Sequence, residues 1–434
     1  MDSIWEKTAR MPSFPPLEGG LKTDVLIIGG GITGLLCAWA LRQEGVDCAL
    51  LEADRLCCGT TGRTTGKITS QHGLIYRRLI KEFGPEAARL YWQAQESALA
   101  RYRDLSRTVP CDFQERDSYV YSLHNPRALE EELTALDRLG IPARLVHPDL
   151  PFPTAGAVCF PGQGQFHPLK FLSAAAGDLP VYEHTRALAW RPGQVRTERG
   201  TVRAEKIIAA SHFPFLTNHG AYFLKLYQHR SYVLALENAP DVGGMYVDEA
   251  GTGLSLRNWN NCLLLGGGSH RTGKKGGGWR ELEETARRLW PQSKILCRWA
   301  AQDCMSLDGM PYVGQYGGNT PGLYTASGFN KWGMTGAMLA AMLLTDLVLE
   351  RENPYTALFS PSRSILRGQL AVNALEATVN LLTPTVPRCP HLGCALKYNA
   401  HERSWDCPCH GSRFEEGGAV LDGPSNGDLH QKRK

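Results

Sequence analysis

The stretch TDVLIIGGGITGLLCAWALRQEGVDCALLEAD, residues 23–54, constrains the chain more than any other. The apolar run Val25 to Ile28 has the composition of a buried parallel strand. Ile32 to Glu44 has helical spacing that Gly45 ends, and Cys48 to Leu51 reads as a second buried strand. That is a βαβ unit. Its turn is Gly29-x-Gly31-x-x-Gly34, where glycine permits a tight bend, close approach of a pyrophosphate and packing of helix on strand. The helix N-terminus offers positive dipole to phosphate, and Glu52 closes the second strand where an acid accepts ribose hydroxyls. A lone glycine motif would be weak, but in this context it predicts a dinucleotide site.

The segments beyond Glu52 decide which dinucleotide. CCGTTGRTTGKITSQHG, 57–73, is a Gly- and Thr-rich loop directly after the acid; EKIIAASHFPF, 205–215, reads as a strand and loop returning to the site; GLYTASGFNKWGMTGAMLAAML, 322–343, is a glycine-led helix, with MSLDGMPYVGQY, 305–316, before it. Together these resemble the D-amino-acid-oxidase-like (glycine and sarcosine oxidase) family over roughly residues 22–352. The resemblance implies FAD, held by Gly29, Gly31, Ile32, Thr33, Gly34 and Glu52, and by the loop residues Arg63, Thr64, Thr65, Gly66, Lys67 and Ile68. It also implies contacts from Ala210, Ser211 and Asp308, and from Gly328, Phe329, Asn330, Lys331, Trp332, Gly333, Met334 and Thr335. No second glycine motif has βαβ context. LLLGGGSH, 263–270, has glycines without a following helix and reads as a strand and turn.

The stretches between alternate. DSYVYSLHNPRALEEELTALDRLGI reads as strand, turn and amphipathic helix, and HRSYVLALENAP and NNCLLLGGGSH as strands. They predict an antiparallel sheet with helices, interleaved with the dinucleotide domain.

Thirteen cysteines sharpen the picture: nine are spread from Cys37 to Cys304 and four lie between 389 and 409. The adjacent Cys57 and Cys58 read as small buried residues. The C-terminal group offers Cys389-x-His391 and, fifteen residues on, Cys407-x-x-His410. Two Cys and two His suit zinc. CPHLGC and CPCHGS, however, resemble the two loops of Rieske proteins, in which two thiolates hold one iron of a [2Fe-2S] cluster and two imidazoles the other. That resemblance assigns Cys389, His391, Cys407 and His410 as ligands and pairs Cys394 with Cys409 in a disulfide. The strands that precede the first loop in a full Rieske domain are missing, so the cluster is expected to lean on the FAD domain.

The expected architecture is an α/β FAD-binding Rossmann-type domain, an interleaved antiparallel α+β substrate domain and a small all-β Rieske domain. The FAD-binding parts span 22–112, 161–218 and 301–352, and the substrate parts 113–160 and 219–300. A helical linker spans 353–383 and a truncated Rieske domain 384–434. At 434 residues, 43% apolar and 21% charged, the chain has the composition of a folded enzyme. Net charge +4 and a pI near 8.4 are too mild to argue for nucleic acid. MTGAMLAAMLLTDLVL is the longest apolar stretch and carries two Thr and an Asp, so it reads as an internal helix and no membrane span is expected. Without a secretory signal, the expected compartment is the cytoplasm.

The pairing of groups implies dehydrogenation of a C–N bond in an amine or amino acid, with electrons leaving singly through the cluster to an external one-electron carrier. Flow in the reverse direction, and an electron carrier or sensor without its own substrate, are alternatives. A Rieske oxygenase is disfavoured, as no His, His and carboxylate grouping is spaced for mononuclear iron. Candidate catalytic residues are His270, Lys274, His72 and Lys331. No Arg and Tyr pair can be assigned to a substrate carboxylate.

Overall fold

The computed structural model describes residues 2–216, 219–251, 253–385 and 387–429. A short helix, α1 (Ile4–Thr8), is closed by a capping box from Ser3 and Glu6 and buries Trp5 completely. The strand β1 (Leu21–Ile28), helix α2 (Ile32–Gln43) and strand β2 (Cys48–Leu51) form the expected βαβ unit, with β1 parallel to β2. The next short strand, β3 (Lys67–Ile68), leaves this sheet and joins the second one.

On its other side β1 pairs in parallel with β4 (Thr201–Ala209). Four long elements complete the frame: β5 (Leu226–Glu237), β6 (Cys262–Arg271), β7 (Lys294–Ser306) and β8 (Leu323–Ser327), the last parallel to β4. Val25 to Ile28 of β1 are buried without a break, which suits a strand covered on both faces. Helix α3 (Gly333–Val348) is apolar all round and packs against α2, so the longest apolar stretch is internal. No helix among the described residues is long and apolar enough to cross a membrane.

The second sheet has nine strands, with β7, β5 and β6 side by side at one end. It is antiparallel except where Met245–Asp248 runs parallel to Gln114–Ser122. That exception departs from the purely antiparallel expectation, and arises because these two strands come from separate insertions into the first domain. The C-terminal module is a four-stranded antiparallel meander, Lys397–Asn399, Ser404–Asp406, Arg413–Glu415 and Val420–Asp422.

Helix α4 (Gly368–Leu382) joins the two parts with its polar side inward. Asn373 and Asn380 are buried while Leu375 and Leu382 are 66% and 77% exposed. Asn373 is placed by its bond from Arg271 Nη1 at 2.9 Å, and Asn380 accepts Ala395 N–H on its carbonyl.

Candidate active site and metal centre

The glycine turn leaves no room for side chains. A Cβ on Gly29, at φ +111°, would lie 2.5 Å from the Ala210 carbonyl, and one on Gly34 1.9 Å from the Gly29 carbonyl. Helix α2 begins at this turn without an acidic residue in its first turn, and so does α3 at Gly333. Two helix N-termini therefore keep their positive ends for a ligand. The Ile32 N–H is taken by Thr61 Oγ1 at 3.0 Å. Glu52 accepts the N–H groups of Gly30 and Asp54 at 2.6 and 2.8 Å, which holds the turn against β2. Burial raises its carboxyl above the usual range.

These features open on a cavity of about 1000 Å³. Gly29, Gly31, Ile32, Thr33 and Glu52 line one end, and Arg63, Thr64, Thr65 and Lys67 its floor. Ala210, Ser211, Phe329, Lys331, Trp332, Gly333 and Met334 line it further along. Size, uncapped helix ends and the glycine cradle suit FAD. Glu52→Ala removes the carboxylate from both N–H groups and from any ribose hydroxyl. FAD affinity is then expected to fall by roughly 1–3 kcal/mol, read as loss of flavin absorbance on dialysis.

Other expected contacts lie behind this wall. Gly34, Gly66 and Gly328 support it from within the fold, and Ile68 is fully buried in the core. Asp308 holds Arg363 through both oxygens at 3.0 Å, so its carboxylate is committed to an ion pair. Asn330 caps its own loop by accepting Ser306 N–H at 2.9 Å. Thr335 donates to the Thr69 carbonyl.

The candidate catalytic residues separate in the same way. His72 lines the cavity, yet Nδ1 meets Tyr91 at 2.6 Å, Nε2 meets the Thr69 carbonyl at 2.8 Å and the ring stacks on Trp332. Burial pulls it down to about 3, so it is a neutral structural histidine. His270 stacks on Tyr232 and turns Nδ1 to the Gly268 carbonyl, and Lys274 pairs with Glu376 of α4 at 2.6 Å. Neither lines the cavity. Lys331 does, with Nζ donating to Ser269 Oγ at 2.5 Å.

Three groups facing the cavity were not anticipated. Asp303 of β7 and His229 of β5 are register partners, and Ser231 follows His229 on the same face. Burial lowers His229 to about 4, helped by Lys331, and raises the Asp303 carboxyl. The single acid in RWAAQDCMS was the available signal, but one acid in a strand reads equally as a solvated edge. Lys67, one of the expected FAD contacts, donates its Nζ to the Tyr246 carbonyl and to Ser255, and burial brings it down to about 7.

The C-terminal loops converge as expected. The His391 and His410 rings are 5.0 Å apart, and the Cys389 sulfur contacts that of Cys407. Both ring nitrogens of His391 and Nδ1 of His410 are buried without a partner among the described residues. His410 Nε2 donates to the Phe223 carbonyl at 2.9 Å, which leaves Nδ1 as the bare nitrogen. Burial lowers the two imidazoles to about 3 and 4, so both are in the neutral, metal-binding form. Orphaned imidazole nitrogens beside converging thiols fit a [2Fe-2S] cluster held by two Cys and two His. The Cys394 and Cys409 sulfurs, which the resemblance pairs, lie with that of Cys407 within 4.8 Å of one another.

The module leans on the second sheet and not, as expected, on the FAD domain, because the polar side chains that reach its loops come from β5, β6 and β7. Gln228 donates to the His410 carbonyl and Gln302 to the Gly411 carbonyl, both at 2.8 Å. Arg271 donates to the carbonyls of Pro408 and Cys409. Beyond the sheet, residues 420–426 of the module line the cavity itself. Phe213, which also lines it, has its ring 6.4 Å from His391 and 6.1 Å from His410.

Known proteins share both parts. The family of FAD dependent oxidoreductases (DAO) matches residues 24–347, and the Rieske [2Fe-2S] domain residues 375–432. YhfW of Bacillus subtilis (strain 168), named for a Rieske 2Fe-2S iron-sulfur centre, is 34% identical over 99% of this chain and 97% of its own. The gamma-glutamylputrescine oxidoreductase of Escherichia coli (strain K12) is 25% identical over 77% of this chain and 85% of its own. The crystal structure of glycine oxidase from Geobacillus kaustophilus shares the fold, with TM-score 0.67 at 22% identity over 79% of this chain and 99% of that one. With the cradle, the cavity and the paired Cys/His loops in one molecule, the chain belongs to the DAO family of FAD-dependent oxidoreductases and carries a C-terminal Rieske [2Fe-2S] domain.

Proposed function

We propose that the protein dehydrogenates a C–N bond of an amine or amino acid and passes the electrons singly to an external one-electron carrier. FAD would supply two-electron oxidation of the substrate, and the cluster a one-electron exit, for which histidine ligation at about −150 to +300 mV is suited. The observation that carries this reading is the shared wall: Phe213 lines the cavity and lies against both imidazoles. The relatives' names, which give gamma-glutamylputrescine and glycine as substrates, support an amine or amino acid.

The chain's residues then have distinct tasks. Gly29, Gly34 and Glu52 hold the cradle, while residues 420–426 of the module complete part of the cavity's lining. His229 and Lys331 present a neutral imidazole and a hydrogen-bonded amine to the space above Trp332 and Gly333. Hydride loss requires a neutral substrate amine with an aligned C–H more than it requires a strong base.

The purified protein is expected to be brown, with one FAD per chain, two irons and the low-average-g paramagnetic resonance signal of a mixed Cys/His cluster after reduction. An anaerobic screen of amines and amino acids should find compounds that bleach the flavin absorbance. Stoichiometric zinc without iron would end the cluster assignment. Bleaching by a chemical reductant but by no compound in the screen would favour the carrier without its own substrate.

A further inference from the structure

The second sheet turns three carboxyls toward the cavity from its strands beyond residue 229, and one ammonium, Lys67, from its short strand β3. Among its described lining residues from 229 to 305, the ionisable carboxyls are Asp248, Glu249 and Asp303, and there is no lysine or arginine. The arginines that line the cavity are Arg55, Arg63 and Arg186, in the segments around Glu52 and Thr185 that form the dinucleotide end. Recognition of a substrate carboxylate calls for a guanidinium or ammonium on the substrate side. The two lysines that reach this region are both engaged by neutral groups: Lys331 Nζ lies on Ser269 Oγ with the Gly251 carbonyl at 3.4 Å, and Lys67 Nζ donates to the Tyr246 carbonyl and Ser255.

Asp303 is set differently from the other two acids. Asp248 accepts the Ala250 N–H at 2.9 Å and Glu249 accepts Ser122 Oγ at 3.1 Å. Among the described residues, none bonds to the Asp303 carboxylate, and the cations that influence it, Lys331, His212 and Arg230, act through space. His212 is turned to Gln228 and Arg230 to Glu402. A carboxylate removed from bulk water is stable as an anion when a cation pairs with it.

We propose that Asp303 anchors a protonated nitrogen of the substrate, and that the cavity takes a diamine or polyamine in place of an α-amino acid. This rests on the amine-dehydrogenase reading above and specifies its substrate. The nitrogen at the reacting carbon must keep its lone pair, so the ammonium held by Asp303 belongs to a second nitrogen of the same molecule. At the neutral end the C–H bond breaks and its electron pair leaves with the hydrogen as hydride to FAD. The nitrogen lone pair closes the C=N bond, and the iminium loses one proton to water to give an imine.

The test uses the FAD- and iron-loaded protein with diaminobutane, butylamine and glycine, measuring binding by calorimetry and reduction by anaerobic flavin bleaching. Diaminobutane should bind more tightly than the other two. Asp303→Asn should raise its Kd on the order of 100-fold, leaving the butylamine Kd and the FAD content unchanged. Asp303→Glu should restore part of the affinity, which a merely structural role would not produce. Tighter binding of glycine than of diaminobutane, or equal diaminobutane affinity in Asp303→Asn, overturns the proposal. If diaminobutane binds through Asp303 without bleaching the flavin, the anchor stands and the dehydrogenase reading falls. If amino acids bleach the flavin at a rate indifferent to Asp303, the dehydrogenase reading stands and the anchor falls.

Discussion

His391→Ala is expected to abolish the iron-sulfur signal while leaving FAD bound and the substrate half-reaction intact. His391 makes no hydrogen bond that its loss would break: its two ring nitrogens are buried and bond to no protein group among the described residues. Removing it deletes one of four ligand atoms: Cys389 and Cys407 remain for one iron, but His410 is left alone for the other. The FAD cradle is built on β1, α2 and β4, none of which touches the ring, so flavin content should not change. Substrate should therefore bleach the variant's flavin at nearly the parental rate. Reoxidation by a one-electron acceptor should slow by orders of magnitude, because the path past Phe213 then ends at a loop that holds no cluster. The measurement is a pair of stopped-flow traces, one for each half-reaction. Parental turnover with the physiological acceptor would show the cluster to be structural or sensory.

The range of the forces involved decides which features were legible in the sequence. The glycine turn and the Cys/His loops are local: a backbone approach of 2.5 Å admits no Cβ, and ligand spacing within a loop is written in consecutive residues. The seat of the module was not legible, since Gln228, Arg230, Arg271 and Gln302 are more than a hundred residues from the carbonyls and carboxylates they bind. His72 and Lys274 had the right residue types in plausible loops, but tertiary partners Tyr91 and Glu376 absorb their polar atoms. Asp308 was misplaced for the same reason, with Arg363 arriving from a segment beyond the family-like region. Helix α4 turns two asparagines inward because Arg271, the Ala395 N–H and the Leu224 carbonyl meet them there, beside the apolar contact of Ala377.

Glu402 is expected to be the residue on which docking of the module depends most. Its carboxylate lies between two arginines from different parts of the fold: Arg230 Nε of β5 donates at 2.8 Å and Arg413 Nη2 of the module at 3.0 Å, with Tyr232 adding a third bond at 3.3 Å. The side chains are 9% exposed for Glu402 and 4% for each arginine, so solvent and salt screen the group little. Arg413 retains Asp406 and Asp422 when Glu402 is lost, but Arg230 keeps only Asp422, at 4.0 Å. An uncompensated buried guanidinium costs about 3–5 kcal/mol, and Glu402→Ala should destabilise the module's seat by that amount. The readout is faster hydrogen exchange across residues 389–429 and faster loss of iron, with residues 21–209 unchanged and FAD retained. Acid should do the same to the parent protein. Burial by itself would raise the Glu402 carboxyl, but Arg230 and Arg413 outweigh it and bring it down to about 2 from an ordinary 4.5. A depressed folded value means that the stabilisation is complete above about pH 4.5 and is lost as pH falls toward 2. The shift corresponds to roughly 3 kcal/mol, in line with the cost of the substitution. Iron release on acidification should therefore begin in that window, and Glu402→Ala should remove this step from the profile. A profile that is the same with and without Glu402 would assign the acid sensitivity to the cluster's own ligands and leave the arginine clamp without a role in docking.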